Sequence, residues 1–571
     1  MTLVAWAVFL LVTAYTIWDG VRRTMGAKTM EGFFAAGRNI PWWAAGLSVM
    51  ATQLSAITII GGVGMGYLGG LEWVQFYFAL PFAMVILCIW FVPMYRQHPI
   101  LTAYEFLERR FGPVTRSATS LAFLVSRCLA FAVVLYAPAV VFSTMTGIAI
   151  TPMVFAVGIL TTSYTVAGGV GGVVWTDVKQ MVIIVVGITA TLVLLLWDTV
   201  GQLGLSGVFE ALGAAGKLNA VDVTNPEWTM QPAFDEPAKR TSFWSDEYNL
   251  WTGLFGTLFL FLSYFGCDQV QVQSLLSSKS ADASRRALLL SAFTKIPLQL
   301  MVLFLGGLLF LHHSLGEEPL LFSPGDRAKV ERLDGAAKDR YAAAATAHQA
   351  AVAARRETMQ RIAADRPAPG DLVRFQGAVQ QAMAAQAEAR AAIGGKSDQN
   401  YIFPEYLFRE VPKPLLGLMI AAIFAAAVSS AAGALSSLTS ASMIDFYRRF
   451  LRPNADERSA LRTSRIVMAF WGLMATSVAS FLGDRPLLEQ VNKFGSLFYG
   501  SILGVFLLAL AAPRATGFAA TAGLFVGLAT TFAVDRTMHI AYLWYNLLGA
   551  AVCVATGLLV TRLHGERGAG R

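Results

Sequence analysis

Long apolar stretches follow one another along the chain, separated mostly by short polar connections. A membrane-spanning helix needs about 20 predominantly apolar residues, and by that measure about thirteen candidates can be counted. They cover residues 3–22, 41–67, 72–95, 117–146, 149–167, 177–200, 249–273, 286–312, 413–443, 462–482, 488–511, 516–534 and 541–561. The pattern predicts an all-α polytopic membrane protein with about 13 transmembrane helices.

Two longer segments lack this apolar character. Residues 201–248 are polar and contain several acidic side chains, which favours an extracytoplasmic loop. Residues 314–411 contain an Ala/Arg/Gln-rich stretch with high helix propensity and little apolar patterning. We expect this segment to be an extracytoplasmic helical insertion, which either decorates the surface or acts in gating or partner binding.

Composition agrees with the membrane prediction, since 56% of the residues are hydrophobic and only 14% are charged. Soluble domains carry about 25% charged residues, so this chain is expected to fold against lipid. The net charge of +8 does not indicate a nucleic-acid partner, because the basic residues lie in short connections between apolar stretches. The four cysteines lie in apolar stretches and form neither a CxxC pair nor a disulfide framework.

Basic residues also predict the orientation of the chain. Arg109, Arg110, Arg448 and Arg449 lie in connections that alternate with others nearly free of Lys and Arg. Connections rich in Lys and Arg face the cytoplasm. We therefore expect a multi-pass protein of the plasma (inner) membrane, with its N-terminus outside and its C-terminus in the cytoplasm.

The second span carries polar residues at its centre: Ser48, Thr52, Gln53, Ser55 and Thr58. Polar side chains at mid-membrane are costly unless they face a cavity or a partner helix. An unwound centre would free backbone carbonyls to coordinate a cation, as in the discontinuous helices of secondary transporters. The alternative is a continuous helix whose hydroxyls bond to their own backbone.

The ninth span is rich in small residues, which let another helix approach closely. Ala426, Ser429 and Ser430 have the spacing that puts them on one helical face. Two hydroxyls and a carbonyl are hard oxygen ligands, which suit Na⁺ better than a transition metal. Helix packing alone would explain the Ala and Gly residues but not so many serines.

Several motifs together resemble the sodium:solute symporters, a family that includes sodium–glucose, sodium–iodide, sodium–multivitamin and bacterial sialic acid transporters. The motifs are AAVSSAAGALSSLTSASMIDFYRR (426–449), YTVAGGVGGVVWTDVKQ (164–180), YFGCDQVQVQSLLSSKS (264–280) and TAYEFLERRFG (102–112). The resemblance extends over residues 37–527, apart from the two polar segments. It implies a LeuT-like fold with two inverted five-helix repeats.

The resemblance also implies how the chain is organised. An N-terminal transmembrane helix and cytoplasmic loop (1–36) would precede the first five-helix repeat (37–200). The extracytoplasmic loop (201–248) and insertion (314–411) would flank or interrupt the second repeat (249–313 and 412–511). Two C-terminal transmembrane helices and a short cytoplasmic tail would occupy 512–571.

The resemblance assigns a sodium site to carbonyls of Ala51, Leu54 and Ala426 and hydroxyls of Ser429 and Ser430. Asp177, in the WTD sequence, resembles an acid that some members place at a second sodium site or in the gating network. From its chemistry alone, an Asp at the start of a span could instead be a helix N-cap.

The solute site is expected between the broken helices of the two repeats. Its candidate residues are Gln53, Ser55, Thr58, Glu72, Arg127, Tyr264, Phe265, Lys295, Asn492 and its neighbour Gln490. The alternatives are a solvated helix start for Glu72 and simple packing for Tyr264 and Phe265. Lys295 would need a partner such as Asp177, and Arg127 should either pair with an acid or hold an anionic substrate.

The expected function is sodium-coupled import of a small polar organic solute, namely a carboxylate, a sugar or a sugar acid, by alternating access. Sugar specificity is not safely carried over, because Thr52-Gln53-Leu54-Ser55 and Ser274 depart from the pattern of the sugar transporters. Proton coupling of the same fold is the main alternative, with Asp177 as the titratable acid. A passive channel, a sensor and an enzyme are further alternatives, although no catalytic cluster stands out. The expected partners are Na⁺, the solute and the lipid bilayer; the oligomeric state is open.

Overall fold

The computed structural model describes residues 3–24, 40–97, 100–168, 170–221, 231–232, 240–241, 244–364, 370–395, 397–482 and 486–568. The cytoplasmic loop predicted to end the segment 1–36 lies outside these ranges from residue 25 onwards. Most acidic residues of the predicted loop 201–248 lie outside them as well.

The described chain is almost entirely helical, as predicted. Its helices are α1 (Leu3–Thr24), α2 (Trp42–Gln53), α3 (Ala56–Gly69), α4 (Glu72–Arg96), α5 (Ala103–Phe111), α6 (Pro113–Thr146), α7 (Ile150–Gly168), α8 (Val170–Ala214), α9 (Thr252–Gly266), α10 (Gln269–Leu276), α11 (Ala281–Leu315), α12 (Pro324–Val330), α13 (Gly335–Ala363), α14 (Asp371–Ala392), α15 (Ile402–Arg409), α16 (Lys413–Leu451), α17 (Glu457–Ala479), α18 (Leu487–Ala511), α19 (Gly517–Thr537) and α20 (Trp544–Gly568). Two short strands, β1 (Gln231–Pro232) and β2 (Arg240–Thr241), pair antiparallel.

Many of these helices are suited to cross a bilayer. Within the described residues, eight are long and apolar enough to span, and two bent helix pairs raise the number to ten. Local sequence sets some of their ends. Helix α6 starts with Pro113, whose fixed φ suits the first turn, and stops before Gly147, which adopts the left-handed conformation (φ 71°).

The two bent pairs confirm the unwound centre predicted for the second span and add a comparable break. Helices α2 and α3 meet at an angle of 59° across Leu54 and Ser55. Helices α9 and α10 meet at 54°, within the span predicted at 249–273. Asp268 starts α10, since its carboxylate accepts a 2.9 Å hydrogen bond from the amide of Val270.

Close backbone contact fixes α3 against α11. A Cβ atom added at Gly66 would overlap the carbonyl oxygen of Leu303, and one added at Gly306 would overlap that of Val63. The two backbones therefore touch with no side chain between them, as small residues permit in membrane helices.

A buried charge network ties α5, α6 and α16 together at their Arg-rich ends. Asp445 is fully buried and accepts hydrogen bonds from Thr102 (2.8 Å), Ser120 (2.7 Å) and Arg116 (2.7 Å). Arg116 also contacts Glu108, which in turn contacts Arg449 (2.8 Å). This network satisfies an otherwise costly buried carboxylate and joins three helices rigidly.

One boundary and the packing of the insertion differ from the prediction. Helix α8 continues to Ala214, past the end predicted at residue 200, so the first part of the predicted loop is helical. Gly204 interrupts this extension with a non-helical backbone (φ 72°, ψ 164°). The insertion is helical, as expected, but it is no loose decoration, because Arg355 of α13 is only 1% exposed.

The contact between α3 and α11 predicts a sharp response to one added methyl group. Gly66→Ala or Gly306→Ala should destabilise the protein by about 1–3 kcal/mol, the usual cost of overpacking. Gly213→Ala is the matched control, because no atom lies within 4 Å of a Cβ placed there. Thermal unfolding of the detergent-purified variants measures the difference, and equal melting temperatures for Gly66→Ala and Gly213→Ala would contradict this packing.

Candidate ion and solute site at the helix breaks

The break between α2 and α3 releases four consecutive carbonyls, residues 51–54, from the backbone hydrogen-bond ladder. The carbonyl of Thr52 accepts from the hydroxyl of Ser430 (3.2 Å), and that of Gln53 accepts from Thr58 (3.0 Å). In the part of the chain that the structure describes, no hydrogen bond reaches the carbonyl oxygens of Ala51 and Leu54. These two were assigned to the sodium site from the sequence.

Helix α16 lies directly against this break. The hydrogen bond from Ser430 to Thr52 fixes the distance between the two elements, and Ala426, Ser429 and Ser430 are all buried on α16. The helix can approach this closely because alanines and serines leave little side-chain bulk between the backbones. The two elements that carry the sodium ligands expected from the sequence therefore lie against each other, although they are far apart in the chain.

Asp177 of α8 completes this arrangement. Its carboxylate is 1% exposed and accepts hydrogen bonds from the hydroxyls of Ser429 and Ser48. It lies well inside α8, so the alternative of a helix N-cap is wrong. The expected ion pair between Asp177 and Lys295 is also wrong, because each has other neighbours.

Ser48 is a site residue that sequence reasoning did not include among the ligands. It lies one turn before the break on α2, where its hydroxyl reaches Asp177 rather than its own backbone. The sequence marked Ser48 only as one of several polar residues at mid-membrane, a position it shares with Thr52. The hydroxyl of Thr52, in contrast, bonds back to the carbonyl of Ser48 (2.9 Å).

The chemistry of this oxygen cluster suits a desolvated monovalent cation. Neutral carbonyls and hydroxyls replace part of its hydration shell, and Asp177 provides one negative charge. Among the described residues no Lys or Arg forms an ion pair with Asp177, so a bound cation would supply the missing counter-charge.

A narrow cleft adjoins this cluster. Its walls come from α2, α8, α10 and α16, where apolar surface alternates with the polar side chains of Ser48, Thr52, Asp177, Gln273, Ser274, Ser277 and Ser436. An ion leaving the cluster would therefore meet hydroxyl and amide groups on its way.

The second break is occupied by an ion pair. Arg127 of α6 contacts Asp268 between α9 and α10, and the hydroxyl of Tyr499 lies 3.1 Å from both side chains. The guanidinium also sits 5.8 Å from the ring centre of Tyr264. In this state Arg127 pairs with an acid, the first of its two predicted roles.

Lys295 of α11 lies at the first break without a carboxylate partner among the described residues. It is 1% exposed, its ammonium is 3.5 Å from the carbonyl of Gln53, and it lies 5.5 Å from the ring centre of Tyr77. The amide of Gln299, one turn along the same helix, is buried and has no hydrogen-bond partner in the described structure; the same holds for the amide nitrogen of Gln53. Two unpartnered amide groups therefore lie near the ammonium of Lys295.

Some of the other residues predicted for the solute site lie at the first break, and others lie away from it. Ser55 and Thr58 are buried at the start of α3, next to the break. Phe265 is fully buried and packs against Phe261 and Tyr264, which fits the packing alternative.

Glu72 and Asn492 are not brought to the break. Glu72 comes after the whole of α3, about 20 Å away at 1.5 Å per residue, where it acts electrostatically on Lys217. Asn492 is half-buried in the first turns of α18 and bonds to the side chain of Tyr542, and Gln490 lies beside it.

Comparison with known protein families agrees with the resemblance that the sequence motifs indicated. The model of the sodium:solute symporter family matches residues 33–330 and 344–527. The chain is 25% identical over 547 residues to the sodium/sialic acid symporter NanT of Aliivibrio fischeri, covering 95% of this chain and 89% of that protein. It is 30% identical over 289 residues to the human sodium/iodide cotransporter, covering 50% and 41% of the two chains.

The fold has a counterpart among solved structures. A Na⁺-coupled sialic acid symporter, solved in a substrate-bound outward-open state, superposes with a TM-score of 0.74 over 98% of both chains, at 22% sequence identity. At this identity the likeness establishes the fold alone.

Proposed function

This chain belongs to the sodium:solute symporter family, and we propose that it imports a small polar organic solute with Na⁺ by alternating access. It is therefore a sodium-coupled symporter, from a family of transporters rather than enzymes. The observation that carries the mechanism is the pair of free carbonyls at Ala51 and Leu54, in the break that Ser430 of α16 contacts next to Ser429 and Asp177.

We infer that the fold contains thirteen membrane spans in two inverted repeats. Each bent pair would begin one repeat, α2 and α3 the first and α9 and α10 the second, and their similar angles of 59° and 54° support this. The Arg-rich connections support a cytoplasmic C-terminus and an N-terminus outside the plasma membrane. The helical insertion then lies outside the cell.

The proposed sodium site consists of carbonyls from Ala51, Leu54 and Ala426 with the hydroxyls of Ser429 and Ser430. Asp177 would either bind a second Na⁺ or hold the serine hydroxyls in place. By linkage, Na⁺ and solute must raise each other's affinity by the same factor.

The proposed solute site lies between the two breaks, with Gln53, Ser55, Thr58, Lys295 and Arg127 among its residues. A carboxylate is the favoured recognition group, because Lys295 and the free amides near it need an acceptor. Arg127 is already neutralised by Asp268 and would join only after that ion pair rearranges. Relatives with names that include sialic acid and monocarboxylate are consistent with this choice.

Proton coupling is the second candidate, favoured by one observation. Asp177 is a buried carboxylate whose only described partners are hydroxyls, so a proton could neutralise it in place of Na⁺. Melting temperatures measured at fixed pH, with NaCl replaced by choline chloride, separate the two couplings. Stabilisation by Na⁺ supports sodium; a response to pH alone supports protons.

Removing the serine hydroxyls should weaken sodium binding. Ser429→Ala and Ser430→Ala should each lower the apparent Na⁺ affinity about 10- to 100-fold, as expected for a lost hydroxyl interaction with a charge. The measurement is the Na⁺-dependent thermal stabilisation of purified protein, with choline as the reference cation.

Ser437→Ala is the matched control for this experiment. Its hydroxyl is buried on the same helix but bonds back to the carbonyl of Ala434 (2.8 Å). If the Ser429→Ala/Ser430→Ala double variant binds Na⁺ as tightly as the Ser437→Ala control, the proposed ion site is wrong.

Removing the ammonium of Lys295 should abolish recognition of carboxylates. In a thermal-shift screen with Na⁺ present, carboxylate solutes should stabilise the parent, and Lys295→Met should lower their affinity at least about tenfold through the lost charge-assisted hydrogen bond. Stabilisation by Na⁺ alone should persist. Lys279→Met, at an exposed lysine, serves as the control.

A different pattern in the same screen would contradict the anionic solute. Neutral sugars that stabilise the parent and Lys295→Met equally would show that the ammonium does not bind the solute. Loss of carboxylate binding in Arg127→Met but not in Lys295→Met would move the anchor to the second break.

A further inference from the structure

The helical insertion makes a specific attachment that transport through the breaks does not require. We call α13 and α14 together the hairpin; the two helices pack along each other, and Ala363 at the end of α13 contacts the backbone at Gly207 of α8. The hairpin therefore lies on the end of the helix bundle opposite to the Arg-rich connections.

A buried arginine fastens the hairpin to the bundle. Arg355 of α13 is 1% exposed, and its guanidinium contacts the carboxylate of Glu318, just after α11, at 2.6 Å. The guanidinium also lies 5.1 Å from the ring centre of Phe310. Breaking such a pair by removing one partner is costly, because the other charge is left buried alone.

Glu318 also connects the hairpin to α3. Its carboxylate also accepts a hydrogen bond from the hydroxyl of Tyr67, near the end of α3, and the imidazole of His348 lies 3.6 Å away. Burial alone would raise the pKa of Glu318, but Arg355, His348 and Tyr67 outweigh it and hold the pKa below its usual range. The carboxylate is therefore charged at neutral pH.

The end of α3 is held at two further points by the same region. The ammonium of Lys217, in the segment after α8, donates to the carbonyl of Leu68, and the backbone at Gln399, after the hairpin, packs directly on Gly64. Because the carbonyls of residues 51–54 accept no backbone hydrogen bond, α3 is not continuous with α2, and it can move relative to α2 and α18 while it stays packed on α11.

We propose that the hairpin is a clamp on α3, which holds this half-helix closed against α18 through Arg355, Glu318 and Tyr67. The inference rests on the proposed alternating access, in which α3 must leave α18 for the solute to enter from outside. In the closed position Leu488 of α18 is 6% exposed and lies against Gly61 of α3. Weakening the clamp should therefore expose Leu488.

A reporter cysteine at this contact tests the clamp. In a variant with Cys88, Cys128, Cys267 and Cys553 replaced by alanine, Leu488→Cys is labelled with a maleimide in detergent, without Na⁺ or solute. Tyr67→Phe should raise the labelling rate about fivefold to tenfold, since it removes one hydrogen bond to a charged group while its ring stays packed. Arg355→Met should raise the rate further.

Arg361→Gln is the control within the hairpin, because that guanidinium pairs with Asp371 of the same hairpin (3.1 Å). A labelling rate within about twofold of the parent for both Tyr67→Phe and Arg355→Met would overturn the proposal, since exposure depends on the open population. An equal rise in Arg361→Gln would overturn it too. If Arg355→Met does not fold, Tyr67→Phe decides alone, and because no Na⁺ or solute is used, the result is independent of the transport proposal.

Discussion

Interrupted backbone hydrogen bonding inside an apolar bundle is the constraint on which the candidate site depends. At the break, no backbone amide donates a hydrogen bond to the carbonyls of Ala51 and Leu54, and no other described group donates one in its place. In a medium without water, such oxygens are stable only beside a partner. The small residues of α16 and the acid of α8 lie around this break, where a cation would supply the missing partner.

The two breaks differ in how their buried charged residues are partnered. At the second break, Arg127 and Asp268 neutralise each other, so that the interruption is stable without a ligand. At the first, Asp177 and Lys295 are buried apart, each with neutral neighbours. In the proposed mechanism, the first break would bind charged ligands, whereas the second would open only when its internal pair separates.

Local sequence pattern was enough to locate the elements of the site. Apolar length indicated the membrane helices, eight to ten of which can span a bilayer within the described residues. Polar residues at mid-membrane indicated a possible break in the second span, and the spacing of Ser429 and Ser430 indicated the helix beside it. The partners of the charged residues could not be found this way, because they depend on how distant helices are rotated. Asp177 was expected to pair with Lys295 but binds Ser48, and nothing in the polar sequence of the insertion marked Arg355 as buried.

The isolation of Lys295 and Asp177 also has an electrical consequence for the proposed transport cycle. When both groups are charged, their charges sum to zero, and this pair would add no net charge to the return of the empty carrier across the membrane field. A monoanionic solute beside Lys295 and one Na⁺ beside Asp177 would cancel as well, and the voltage would then do no work on the loaded step. Only a second Na⁺ would make each turnover carry current, which at 100 mV adds about 2.3 kcal/mol per charge to accumulation.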